Sequence, residues 1–178
     1  MNKSEIVYKG RIIDVYKDTV TLPNGNTIAL DLVKHPGAVA IVPILDDGRV
    51  VMIRQYRYAA GGYIYEIPAG KLEPNEDPFT CAKRELLEEI GYKTKDLKKL
   101  TAILTTPGFS NEKIHLYLAT GLTKDKTDHQ KDEVIEVVYF NKNEVENMIT
   151  CGEIVDAKTI VGLYTAFNSL KSQEKKGA

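Results

Sequence analysis

One continuous stretch, Gly70 to Tyr92 (GKLEPNEDPFTCAKRELLEEIGY), constrains this chain more than any other. Pro74 to Asp77 is polar turn material. Asp77 before Pro78 reads as an N-cap followed by proline at the first helical position, where a missing N–H does no harm. A helix over Pro78 to Ile90 is therefore predicted, with Gly91 as its C-terminal stop. Glu85, Glu88 and Glu89 stand at i, i+3 and i+4, which puts their carboxylates on one face. Like charges packed this closely repel unless positive charge lies between them. A hard divalent cation with oxygen ligands meets that need, and Mg2+ is the usual partner of substrate phosphates, with Mn2+ as a second candidate. A solvated helix in which Lys83 and Arg84 pair to Glu88 is the plainer use of the same residues. Glu76 and the flanking glycines, in fixed register with the helix, argue for the cation.

The rest of the chain supplies a compact setting for such a helix. With 178 residues, 43% hydrophobic and 28% charged, it has enough material for one globular domain with a small appendage. A formal net charge of −1 gives no electrostatic case for nucleic-acid binding. No apolar run reaches the length of a membrane span, and the start MNKSEIVYKG lacks the apolar core of a signal peptide. Cys81 and Cys151 make no disulfide framework, and Cys81, inside the predicted helix, reads as a small packing residue. A cytoplasmic location is expected.

Residues 1–36 read as a small antiparallel sheet. Arg11 to Leu22 alternates, Pro23-Asn24-Gly25-Asn26 is a hairpin turn, and Thr27 to Val33 returns. Such a sheet is too small to stand alone and must pack on something. His35, beside Pro36-Gly37, reads as a loop residue at the boundary. The main domain, 37–171, opens with the apolar run Ala38 to Leu45, a buried strand, followed by strands over Arg49 to Gln55 and Tyr63 to Ile67. Beyond the central helix, strands are predicted over Leu100 to Thr106, Lys113 to Ala119 and Glu133 to Phe140, with a polar loop from Thr123 to Asp132. Helices over Lys142 to Thr150 and Asp156 to Lys171 close the chain. In the second, Ile160, Leu163, Tyr164, Phe167 and Leu170 form an apolar stripe for core packing. Residues 172–178 are expected to be a disordered tail. Strands on both sides of a central helix, with more helix at the end, give an α/β fold with a mixed sheet.

Gly70, Glu76, Arg84, Glu85, Glu88, Glu89 and Gly91 follow the spacing G-x5-E-x7-R-E-U-x-E-E-x-G-U, where U is bulky and apolar. This resembles the Nudix box of hydrolases that cleave nucleoside diphosphates linked to another moiety. The resemblance implies an αβα sandwich with a mixed sheet, the Nudix fold, and a box that forms loop-helix-loop. RQYR (Arg54 to Arg57), YEIPAG (Tyr65 to Gly70), TPGFSNE (Thr106 to Glu112) and EVIEV (Glu133 to Val137) are similar to the ADP-ribose pyrophosphatase branch. So is Pro107, which stands 16 residues after Gly91. In that branch the N-terminal sheet crosses to the partner subunit, so a homodimer with shared substrate sites is expected.

The chemistry implied by the resemblance is hydrolysis of ADP-ribose to AMP and ribose 5-phosphate. Glu85, Glu89 and the backbone carbonyl of Ala69 become metal ligands, and Glu88 an auxiliary one that belongs with the catalytic set. Arg84 holds a neighbouring glutamate through a bidentate pair. Glu73 and Glu76 support the loop. The general base falls on Glu133, in the segment before a late strand, with Asp132 as the nearest competitor. Arg57 suits the pyrophosphate or terminal ribose, because a guanidinium fork matches phosphate oxygens. Glu66 is placed to accept a hydrogen bond from a substrate hydroxyl or the adenine amino group. Ile12 and Leu30 take the place of the aromatic rings that sandwich adenine in some relatives. Pro107 and Ser110, in the TPGFSNE loop, complete the expected substrate-binding set. Hydrolysis of another nucleoside diphosphate derivative, and a non-catalytic sensing domain, are the competing functions. Sensors usually lose box carboxylates, and here all are present.

Overall fold

A computed structural model describes residues 3–126 and 134–177. Strands β1 (Lys3–Lys9), β2 (Asp14–Thr21) and β3 (Thr27–Lys34) form an antiparallel sheet in that order. The turn at residues 23–26 forms as predicted, with Gly25 at φ 86° and the Leu22 amide donating to the Asn26 carbonyl at 2.8 Å. β2 begins at Asp14 rather than Arg11, because Gly10 closes a turn onto the Ile13 carbonyl at 2.9 Å. β1 had no signal in the sequence: KSEIVYK is exposed at every position, so no face of it is selected for burial.

β4 (Ala38–Pro43) is the centre of the main body. It lies in the four-stranded sheet β7-β4-β9-β8, built with β7 (Ala69–Lys71), β8 (Tyr92–Leu104) and β9 (Lys113–Lys124). β4 and β9 run parallel while the other pairs are antiparallel, so the sheet is mixed. Alternation along β4 sorts its side chains into two layers. Val39 and Ile41 pack with Cys81, Ala82, Leu86 and Ile90 of helix α1 (Pro78–Ile90). Ala40 and Val42 pack with Val145 and Met148 of α2 (Lys142–Thr150), and with Leu163, Ala166 and Phe167 of α3 (Ala157–Gly177). A second antiparallel sheet, β10-β5-β6, uses β5 (Val50–Arg57), β6 (Gly62–Glu66) and β10 (Ile135–Phe140). The architecture is the expected αβα sandwich with a mixed sheet.

Three expectations need correction. The strand predicted over Leu100 to Thr106 is the second half of the longer β8, whose first half is lysine-rich and half-exposed at the sheet edge. Tyr164 is 45% exposed and not part of the core stripe, which runs through Ile160, Leu163, Phe167 and Leu170. At about 100° per residue, Tyr164 points well away from the centre of that stripe. α3 continues to Gly177, through most of the residues expected to form a tail.

The first sheet is stitched to the main body along β3. The Val33 amide donates to the Phe109 carbonyl at 2.7 Å, and the Asn111 amide to the Val33 carbonyl at 3.2 Å. The loop at residues 106–111 therefore carries the N-terminal sheet against one rim of the cleft described next.

Candidate active site

The box folds as its residues dictate. Asp77 caps α1, its Oδ2 accepting from the Phe79 and Thr80 amides at 3.1 Å each. Gly91 ends the helix at φ 68° and donates to the Leu87 carbonyl at 2.9 Å. One face of α1 enters the core, and it takes Glu85 and Glu89 with it, 7% and 3% exposed.

Arg84 organises the carboxylates. Its Nε and Nη2 grip the two oxygens of Glu76 at 3.0 Å each, a bidentate pair. Its Nη1 donates to Glu85 at 2.7 Å and to Glu88 at 3.0 Å. The guanidinium holds the Glu76 carboxyl down at about 2, and Glu76 in turn raises Arg84 above its ordinary range. Glu76 also accepts from the Glu73 amide at 2.9 Å, so it braces the loop as expected. Burial, helped by Glu76, pushes the Cys81 thiol up to about 12, which leaves it an inert packing group.

The turn before the box closes onto the same carboxylates. The Ala69 amide donates to Glu89 Oε2 at 2.9 Å. The Gly70 α-carbon lies flat against Glu85; a β-carbon there would fall 1.9 Å from Cδ and 2.0 Å from Oε1. Among the described residues no group of three or more His, Cys, Asp or Glu side chains converges at metal-ligating spacing. Positive charge between Glu85 and Glu88 comes from Arg84 Nη1. The donor chemistry fits a hard divalent cation: carboxylate oxygens on one helix face, against a glycine that leaves room for them.

Of these groups, Ala69, Gly70, Arg84 and Glu85 line part of a cleft of about 1010 Å³, and Glu76, Glu88 and Glu89 do not. The lining brings together Arg84, Glu85, Ala69 and Gly70 from the box and the turn before it, Arg57 and Glu66 from β5 and β6, and Ile12 from the turn between β1 and β2. Arg57 Nε donates to Glu66 Oε2 at 2.8 Å, and Glu66 is only 3% exposed. Its other oxygen accepts from Lys158, which also pairs with Asp156 at 3.0 Å. Both Glu66 oxygens are thus engaged by cations of the chain itself, where an acceptor for a substrate group was expected. Lys158 and Asp156 line the cleft and are absent from the sequence-derived set. One signal for Lys158 was available: a lysine in the first turn of a helix opposes the macrodipole and implies a carboxylate partner.

His35 lines the cleft, its Nδ1 accepting from the Gly37 amide at 3.1 Å and standing 3.5 Å from Glu112. Leu30 on β3, Pro107 and Ser110 do not line it. Ser110 is buried behind the rim, its hydroxyl accepting from the Glu112 amide at 3.1 Å. Asp132 and Glu133 lie outside the described residues. Their neighbour Val134 accepts at its carbonyl from the amide of Tyr56, a cleft residue, at 3.3 Å.

The family profile described as NUDIX domain matches residues 34–161. The chain belongs to the Nudix family. Its first sheet matches a second profile, nucleoside diphosphate sugar hydrolase N-terminal domain, over residues 2–30. This Nudix chain is 42% identical to an ADP-ribose pyrophosphatase of Bacillus subtilis, over 87% of this chain and 85% of the relative. It is 40% identical to a methanol dehydrogenase activator of Bacillus methanolicus, over 90% and 88%. A crystal structure of an ADP compounds hydrolase superposes at TM-score 0.84 with 23% identity, covering 96% of this chain and 93% of that one. At that identity the match speaks for the Nudix fold, and the box geometry is what sets this family's α1 apart from an ordinary acidic helix.

Proposed function

We propose that this chain is a Mg2+-dependent pyrophosphatase that hydrolyses ADP-ribose to AMP and ribose 5-phosphate. The observation that carries the reading is one cleft lined both by the box corner of Gly70 and Glu85 and by Arg57. The 42% identity to a protein named ADP-ribose pyrophosphatase supports the substrate. A diphosphate repels an incoming nucleophile, so a site of this kind needs positive charge on one side and a proton acceptor on the other. Glu85, Glu89, Glu88 and the Ala69 carbonyl would hold the cation, which supplies charge neutralisation at the phosphate oxygens. Arg57, from the same cleft lining, binds the diphosphate or terminal ribose. Glu133 takes the proton as water attacks one phosphorus and the P–O–P bridge breaks, with Asp132 the alternative acceptor. One product leaves as AMP and the other as ribose 5-phosphate, which accounts for every atom of substrate and water.

The molecule acts as a homodimer in this reading. Ile6, Val7 and Tyr8 on β1 are 47%, 65% and 59% exposed, an apolar edge that a second copy would cover. Leu30, off the cleft of its own chain, would then serve the partner's adenine pocket while Ile12 serves its own. Two cysteines outside any disulfide support a reducing, cytoplasmic setting.

Phosphate release with an added phosphatase, across ADP-ribose, NADH, GDP-mannose, diadenosine polyphosphates and oxidised dGTP, tests the substrate. Mg2+-dependent preference for ADP-ribose, abolished by EDTA, is expected. Preference for another diphosphate would keep the chemistry and discard ADP-ribose, and tight binding without turnover would favour a sensor. The 40% identity to a methanol dehydrogenase activator favours a second reading, stimulation of a dehydrogenase. Adding the wild type and Glu85→Gln to a methanol dehydrogenase assay separates stimulation that needs the box from stimulation that does not.

A further inference from the structure

Glu66 is a carboxylate at the wall of the cleft, 3% exposed, with a cation on each oxygen. Arg57 reaches Oε2 through Nε alone, at 2.8 Å, and its Nη groups make no hydrogen bond among the described residues. Lys158 takes Oε1 and is itself anchored by Asp156 at 3.0 Å; its side chain is 13% exposed. The turn that carries Lys158 is fixed in place. Asp156 Oδ2 accepts from the Thr159 amide at 2.9 Å, and the fully buried Thr159 hydroxyl accepts from the Ile67 amide at 2.9 Å.

This arrangement has a consequence for Arg57. A guanidinium facing a free carboxylate prefers the bidentate grip, which uses two N–H groups on two oxygens. Lys158 occupies the second oxygen, so Arg57 is held by one bond and both Nη groups remain available to the cleft. Without Lys158, Glu66 would keep an uncompensated oxygen in a buried setting, and Arg57 would close onto it. We propose that Lys158 is a positioning residue: by sharing Glu66 it keeps Arg57 in a one-point contact and its Nη groups aimed at substrate phosphate or ribose oxygens. The inference rests on the reading of the cleft as a nucleoside diphosphate site, and it assigns Lys158 no contact with substrate.

The test is a kinetic cycle on the full-length protein with ADP-ribose and Mg2+. Lys158→Met should raise KM about tenfold, the scale of one charge-assisted hydrogen bond, with kcat within about twofold. Lys158→Arg should recover most of the KM. In a Glu66→Gln background, Lys158→Met should add less than about twofold, because both changes act through one carboxylate. An unchanged KM in Lys158→Met, or an equal KM rise with and without Glu66, overturns the proposal. Should Lys158→Met lose its fold by circular dichroism, Lys158→Gln, which keeps a donor and loses the charge, is read in its place. A wild type that does not turn over ADP-ribose overturns the functional reading instead. Calorimetric Kd for ADP, which carries the same diphosphate, then decides the role of Lys158: about tenfold weaker binding in the variant sustains it, and equal binding overturns it.

Discussion

The α-carbon of Gly70 rests on the carboxyl group of Glu85, so closely that a methyl group at position 70 would lie 1.9 Å from Cδ. Any side chain at position 70 would have to displace the Glu85 carboxyl. The first glycine of the box is there for room, and the room belongs to a carboxylate that Arg84 also holds at 2.7 Å.

Gly70→Ala should therefore displace Glu85 and cost turnover at least about 100-fold, comparable to removing one preorganised charge-stabilising group. The helix, capped at both ends, should keep its far-UV circular dichroism. Near-wild-type turnover in Gly70→Ala would mean that Glu85 does not work from this position.

Glu85→Gln keeps the shape and removes the charge. Turnover should fall by a similar factor of about 100 or more, and the Mg2+ concentration for half-maximal activity should rise. Unchanged activity and unchanged Mg2+ dependence would remove Glu85 from the metal set.

Glu76 gives a pH signature for folding. Arg84 holds its folded carboxyl at about 2, below the ordinary 4.5. The unfolded chain therefore takes up the proton first as pH falls. The Glu76–Arg84 contribution is full above about pH 4.5 and is lost as pH falls through about 2. Glu76→Gln should be less stable at neutral pH by about 1–2 kcal/mol, after allowing for solvent screening. Urea unfolding at a series of pH values should show the two proteins converging toward pH 2, and a constant gap would contradict the assignment.

For the proton acceptor, Glu133→Gln should lower kcat by about 10²–10⁴ while KM stays within about twofold. Asp132→Asn should leave kcat near wild type. The reverse pattern would transfer the role to Asp132.

Val7→Glu places a charge on the exposed edge of β1. Sedimentation equilibrium should find a dimer for the wild type and a monomer for the variant. A wild-type monomer with full activity would show that Ile12 and Leu30 need no partner.

Much of this was legible in the sequence because local chemistry and global fold agree there. Asp77-Pro78 and Gly91 set the ends of α1, and the AVAIVP run of β4 is buried on both faces as a continuous apolar strand must be. β1 was not legible, because an exposed strand carries no pattern that burial could impose. The first half of β8 was hidden by its lysines, which suit an edge strand and a loop equally well. Within the cleft, the box spacing was enough to pick out Arg84 and Glu85 as lining residues. Lys158 escaped because its partner Glu66 lies far away in sequence, and only the docking of α3 against the sheet of β4, β8 and β9 brings them together.

The stitch between Val33 and the loop at residues 106–111 divides the cleft into parts with separate supports. α1 and the turn at Ala69 and Gly70 carry the carboxylate lining, while the first sheet, hung on that loop, contributes Ile12. Lengthening or shortening the loop would move the far wall and leave the carboxylates where they are. In the proposed reading such a molecule would work like an adjustable vice with one fixed jaw: the bond broken would be set by one jaw, and the size of what is gripped by the other.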